Sequence, residues 1–309
     1  MATAAIAALG AATTAGCATT NPNDAASGGS AGGSKPGKVI QVAASISAWG
    51  SILQQLGGDH VKATSIITNP DTDPHDYEPT PKDGTVIAGS QLFVDNGVGY
   101  DSWAAKSLAA SPNDARQVID VGTVVNVAKG GNPHRWYSRR DVTTVANAIT
   151  ADLKKLDPAG ASYFDQQNKK FFGTDLADYN KLINQIRTGY AGTAVGASES
   201  IFSPLADTLK LNVLTPPTFL KATSEGTDPT PTDLATITSQ IKNKKIKVYV
   251  YNSQNATPDI AAQVKAAKAT GIPVVTVTET LSPAGASFQQ WQAAQLQALI
   301  TALKKATGK

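Results

Sequence analysis

The chain holds three histidines among 309 residues, and two of them directly follow proline. One stands in Asp73-Pro74-His75-Asp76-Tyr77-Glu78-Pro79-Thr80-Pro81, the other in Gly131-Asn132-Pro133-His134-Arg135-Trp136-Tyr137-Ser138. Proline fixes its own φ and pushes the preceding residue to extended geometry. Asp73 and Thr80 are therefore expected to be extended, and His75 to sit on a stiff loop with little freedom to lose on binding. A lone loop histidine is by default solvated or bonded to backbone. Two Pro-His loops, each followed closely by an aromatic, point instead to two placed metal ligands. Two acids sit just beyond candidate strand ends, Glu199 in Ala197-Ser198-Glu199-Ser200 and Glu279 in Thr278-Glu279-Thr280-Leu281. Each has a plain alternative, Glu199 as a first-turn complement to a helix dipole and Glu279 as an exposed loop acid. The third histidine, His60, reads as a surface turn residue without a role.

The elements that must carry these residues alternate between short apolar runs and amphipathic stretches. Val39 to Ala44 predicts a strand, Trp49, Leu53 and Leu56 a helix ending at Gly57-Gly58, and Val61 to Ile67 a second strand. That βαβ unit implies a parallel sheet covered by helices, and the His75 loop follows its second strand, at the edge where open α/β sheets bind ligands. Leu92-Phe93-Val94 predicts another strand, leading through Asp95-Asn96-Gly97 into a helix with Trp103. Asp157-Pro158 caps a helical stripe of Phe164, Phe171, Phe172, Leu176, Tyr179, Leu182, Ile183 and Ile186, read as one stiff helix of about thirty residues. Beyond it the alternation repeats, with strands at Thr193 to Ala197, Asn212 to Leu214, Ile246 to Tyr251 and Pro273 to Val277. Thr230-Pro231 and Thr257-Pro258 cap helices, and Phe288 to Leu303 forms a closing one. The fold class is α/β, with two βα lobes, residues 38–156 and 189–309, joined by a long rigid helix over residues 157–188, and the candidate site in the cleft between them.

Composition narrows the partners. The chain has 41% hydrophobic residues and 27 basic against 24 acidic ones, for a net charge of +3. With no dense Lys/Arg run, nucleic acid is not a natural partner, and the length suits two lobes with substantial cores. Residues 1–16 carry no charge and end in Thr14-Ala15-Gly16 before Cys17, the only cysteine. This reads as a signal peptide whose cleavage leaves Cys17 lipidated, although the usual basic start is missing, as in a truncated leader, and Thr14 replaces the common Leu. Residues 17–37, rich in Ala, Gly, Ser and Asn, read as the lipidated cysteine and a flexible tether. A folded body hung from the outer face of the cell membrane is the expectation.

These motifs resemble those of the metal-binding receptors of zinc and manganese ABC importers, the ZnuA-like and TroA-like lipoproteins. The Asp73 to Pro81 stretch is close to a hallmark of that family, and Asp95-Asn96-Gly97 with Trp103, Pro133-His134-Arg135-Trp136, Ser198-Glu199 and Thr278-Glu279 follow in its order. The resemblance implies four ligands, two from each lobe: His75, His134, Glu199 and Glu279. It also implies a bound Zn2+ or Mn2+, with Fe2+ also admitted, delivered by a monomeric receptor to an ABC permease. The chain departs from the family in three ways. The fourth ligand there is usually Asp, many zinc members have His at the third, and the His-rich loop of many zinc members has no counterpart.

Two neutral imidazoles and two carboxylates would supply a charge of −2, cancelling a divalent cation in a partly dry cleft. Oxygen-rich ligation moves preference toward manganese or iron, while intrinsic affinity still ranks zinc above manganese. A zinc hydrolase is one alternative, since two His and a carboxylate with an open position can be catalytic. Against it, no His-Glu-x-x-His helix occurs and four protein ligands leave little room for an activated water. A receptor for an organic solute, or an adhesin on the same fold, is another, and predicts an aromatic-lined cleft. The first expectation is a non-enzymatic receptor.

Overall fold

A computed structural model describes residues 38–71 and 73–309. The leader, the lipidation of Cys17 and the tether lie outside the described residues.

In the first lobe, β1 (Ile40–Ile46), α1 (Ser47–Gly57), β2 (Val61–Ile67), α2 (Pro81–Gly89), β3 (Leu92–Asp95), α3 (Ser102–Ala110), β4 (Gln117–Asp120) and the single turn α4 (Val121–Val124) follow in order. The four strands are parallel in the order β2-β1-β3-β4. β1 is central, and all its residues but Gln41 are buried. An apolar run with little alternation is what a strand covered on both faces requires. α5 (Arg139–Leu156) then packs on α1, turning Val142, Val145, Ala146, Ile149 and Leu153 inward at spacings of three and four.

The second lobe repeats the plan. β5 (Ala194–Ala197), α8 (Ser203–Leu209), β6 (Asn212–Val213), α9 (Pro217–Ser224), α10 (Pro231–Lys242), β7 (Val248–Asn252), α11 (Pro258–Ala269), β8 (Val274–Val277) and α12 (Phe288–Thr307) build a parallel sheet in the order β6-β5-β7-β8. Both sheets thus have the same topology, and in each the chain reverses direction of winding beside the first strand, β1 or β5. Ligands of open parallel sheets bind at the carboxyl ends of strands at such a switch point.

Between the lobes the expected long helix starts with a 3-10 turn (Pro158–Gly160) capped by Asp157, and continues as α6 (Ala161–Lys170), a five-residue π-helical turn (Phe171–Asp175) and α7 (Ala177–Gly189). Phe171 and Leu176 are both buried yet five residues apart. In a regular α-helix five residues rotate a side chain about 140° away from the core. The bond from Leu176 N–H to the Phe171 carbonyl, 3.0 Å, widens the turn and keeps the stripe facing inward.

His60 departs from the expectation of a surface turn. It is 3% exposed, its Nδ1 lies 2.9 Å from Asp157 Oδ2, and its ring stacks on Tyr163. The partner is 97 residues away in sequence, so no local pattern around His60 announces it. Among the described residues no helix is long and apolar enough to cross a membrane.

Candidate metal centre

The two Pro-His loops are built alike. In the first, the Asp73 carboxylate accepts the His75 backbone N–H at 2.9 Å and the 3-10 turn Pro74–Asp76 follows. In the second, the Asn132 side-chain oxygen accepts the His134 N–H at 3.0 Å. Asp-Pro-His and Asn-Pro-His are thus one device. A short Asx side chain folds back on the backbone two residues on, proline stiffens the middle, and the imidazole is projected. As expected, Asp73 and Thr80 are extended; Thr80 and Asp83 form a reciprocal cap at the start of α2, and Tyr77 donates to Asp83 at 2.7 Å. The His75 loop is fastened at both ends.

The Asp95-Asn96-Gly97 motif anchors the second loop. Trp49 of α1 donates to the Asn96 side-chain oxygen at 2.9 Å, and Asn96 donates its amide to the Pro133 carbonyl at 2.8 Å. In the second lobe, Glu199 lies two residues past β5 in extended conformation, and Glu279 two residues past β8. Neither is an exposed or helix-capping acid; both are completely buried.

All four side chains meet. One donor atom from each of His75, His134, Glu199 and Glu279 lies within 4.8 Å of every other. His75 Nε2 is 3.4 Å from His134 Nε2 and 3.5 Å from Glu279 Oε2; His134 Nε2 is 3.7 Å from both Glu199 Oε1 and Glu279 Oε2. A cation roughly 2.0–2.2 Å from each of four tetrahedral donors sets them about 3.3–3.6 Å apart, near these four separations, while the whole set spans up to 4.8 Å. The His75 side chain is 21% exposed, while those of His134, Glu199 and Glu279 are sealed. His75 also lines a cleft of about 900 Å3 together with Asp73, Asp76, Tyr100, Glu225 and Asp259, which is the open side of the group.

The surroundings tune each donor. His134 Nδ1 lies 3.0 Å from Asn132 Oδ1; an Nδ1–H donated there leaves the Nε2 lone pair directed at the other donors. Burial holds the His134 imidazole below its usual value, keeping it neutral, with Glu279 opposing in part. Glu279 is gripped by Tyr100, whose hydroxyl donates to Oε2 at 2.6 Å, and by Asn252, whose amide donates to Oε1 at 2.8 Å. Burial alone would raise its pKa, but His75, His134 and Tyr100 outweigh it and hold the carboxyl at about 2. Glu199 is the reverse case. Neither of its oxygens accepts a well-formed hydrogen bond, and burial, with the Glu279 and Asp73 carboxylates, pushes it well above the ordinary range. Burial and Glu279 also raise Asp73, to about 6.

Tyr100, Asn132 and Asn252 were not singled out from sequence. The Asx-Pro-His repeat was the available signal for Asn132; Tyr100 and Asn252 sit at loop and strand ends whose relation to Glu279 exists only in the folded chain.

The manganese-binding lipoprotein MntA of Halalkalibacterium halodurans is 27% identical over 158 residues, 50% of this chain and 51% of that one. The iron-binding protein YfeA of Yersinia pestis is 27% identical over 164 residues, 51% and 49% respectively. The chain therefore spans about half the length of these curated relatives. A periplasmic metal-binding protein from Candidatus Liberibacter asiaticus superposes with a TM-score of 0.70 at 20% identity, covering 85% of this chain and 98% of that one, and so shares the fold. The family described as zinc-uptake complex component A periplasmic (ZnuA) matches residues 42–302, and the chain belongs to it.

Proposed function

We propose that the chain is an extracytoplasmic receptor that captures one divalent transition-metal ion between its lobes, residues 38–156 and 189–309, and hands it to an ABC permease in the membrane. The ion is cargo, held by His75, His134, Glu199 and Glu279. The observation that carries this reading is the convergence of four donors from four separate loops, three of them fully buried, on a space of cation size. Such a group is costly to leave without a positive charge at its centre, which is the property a capture site needs.

Zn2+ and Mn2+ are the proposed cargoes, with Fe2+ also accommodated. Two carboxylates can turn bidentate and raise the coordination number, which suits manganese and iron, while zinc binds more tightly in vitro. Four protein donors leave no open position for an activated water, so the same site is a poor catalyst of hydrolysis and the chain acts as a receptor, not an enzyme. Membrane attachment through a lipidated Cys17 and a monomeric state complete the proposal. Mass spectrometry of the membrane fraction should find diacylglycerol on Cys17, and unchanged attachment of Cys17→Ala protein would refute that part.

Isothermal titration calorimetry with Zn2+ and Mn2+ tests the site. One ion per chain is expected, with affinity reduced at least about 100-fold in His134→Ala and Glu199→Ala, because each removes a donor from a closed set. Undiminished affinity in either variant removes that residue from the site.

A further inference from the structure

A second group of carboxylates lies in the first lobe, apart from the four donors. Asp95 ends β3 and Asp120 ends β4, and the two are register partners at the carboxyl edge of the sheet. Asp101 immediately precedes α3. All three line a cavity of about 520 Å3, on which Lys129 is the one basic residue.

Two of the three acids have structural employment. Asp101 accepts the backbone N–H groups of Asn96 at 2.6 Å and Gly97 at 2.8 Å, shaping the loop after β3. Asp120 accepts the Thr123 N–H and caps α4. Asp95 has none. It is 8% exposed, and its Oδ1 is buried with no hydrogen-bond partner. A carboxylate buried without a donor is destabilising unless a proton or a cation neutralises it. Burial and the facing Asp101 and Asp120 carboxylates raise Asp95 to about 8, the direction expected where negative charge is crowded.

We infer that the cavity is a second cation site, where a hydrated hard divalent ion of the calcium or magnesium type is held by Asp95 and Asp120 at the ends of adjacent strands. Donors that are all carboxylate oxygens select hard cations over zinc. Among the described residues only the His75, His134, Glu199 and Glu279 group brings its donor atoms all within 4.8 Å of one another, so an ion among the three aspartates keeps water between itself and some of them. A water molecule takes about 30 Å3 of liquid, and the cavity accommodates several around an ion. Gly97, at φ 65°, lets the loop approach; a Cβ there would collide with the Asp120 carboxylate. An ion at this point would tie the β3–β4 edge to the loop that carries Asn96 and Tyr100.

The test uses the full chain preloaded with Zn2+, so that the proposed interlobe donors are occupied, titrated with CaCl2 and MgCl2 by calorimetry and followed by thermal melting. One additional site is expected, with Kd on the order of 10⁻⁴ to 10⁻³ M, weakened at least about tenfold in Asp95→Asn and in Asp120→Asn. It should persist in zinc-free His75→Ala, which separates it from the transport site. Asp95→Asn keeps the shape and removes the buried acid, so without divalent ions it should melt no lower than the parent. No binding up to about 10 mM, binding undiminished from the parent in either aspartate variant, or loss in His75→Ala alone would each overturn the inference, as would an Asp95→Asn protein that melts well below the parent.

Discussion

Glu199 and Glu279 are both fully buried and both face His134, yet their surroundings drive them in opposite directions. Glu279, with its imidazole neighbours and the Tyr100 hydroxyl, is held ionised, whereas burial and the Glu279 and Asp73 carboxylates push Glu199 upward toward its protonated form, with only a weaker opposing pull from Asn252 and Asn255. The metal-free site therefore binds more protons than the loaded one, and lowering the pH favours the metal-free state. Uptake is expected to release about one proton, and affinity to fall up to about tenfold per pH unit through the range in which Glu199 titrates. Calorimetry in buffers of different ionisation heat measures this, and zero proton release would contradict it. The same shift acts on stability. Because the folded Glu199 pKa lies above its ordinary 4.5, the folded metal-free chain binds more protons than the unfolded chain, and its stability declines as pH rises above that value. Glu199→Gln should thus melt a few °C higher than the metal-free parent at neutral pH while losing metal affinity. Asn132→Ala removes no donor but frees the His134 tautomer; affinity should drop about 10–100-fold with the fold intact by circular dichroism.

Among the elements, the helix from Ala161 to Gly189 is the most informative, because its stripe contains a five-residue step that a regular helix cannot place on one face. Deleting Gly173, whose Cβ position is open space, converts that step to four and should yield an unbroken α-helix with the same buried face. The melting temperature is expected to stay within a few °C of the parent. Inserting one alanine after Gly173 rotates Tyr179, Ile183 and Ile186 by about 100°, and should lower the melting temperature steeply or abolish folding. If the two changes prove equally harmful, the register explanation fails. The stripe itself was legible in sequence. The wide turn within it was not, since a run of apolar residues shows a buried stripe but not the point at which the helix widens from Phe171 to Leu176. α5 was likewise unread, because its polar residues outnumber its apolar ones and its packing partner, α1, is remote in sequence. β4 went unnoticed as a strand of four residues with Val118 46% exposed.

In the whole molecule, the two sheets have the same strand order, and polar contacts cross between the loops of the two lobes. Asn132 donates to the Ser200 carbonyl at 2.6 Å, Tyr137 to the Thr278 carbonyl at 2.8 Å, and Tyr100 to Glu279. The residues that present the donors therefore also fasten the lobes, and α12 packs against α7, β8 and α1. Loading should be a small adjustment: the radius of gyration with and without zinc, by small-angle scattering, is expected to agree within about 1 Å, and a larger contraction would point to a hinge. The two-lobe plan was legible in the alternation of strands and helices, and the four side chains that converge could be listed because Pro-His loops and acids after strands keep local signatures, although only the family resemblance joined them into one set. Their neighbours could not, because Tyr100 meets Glu279 from 179 positions away and His60 meets Asp157 from 97. The most direct measurement is anomalous diffraction from crystals of the zinc-loaded chain, collected on both sides of the absorption edge. The expected result is a single interlobe peak bonded to His75 Nε2, His134 Nε2 and an oxygen of each of Glu199 and Glu279; a peak elsewhere, or one bonded to neither histidine, would contradict it.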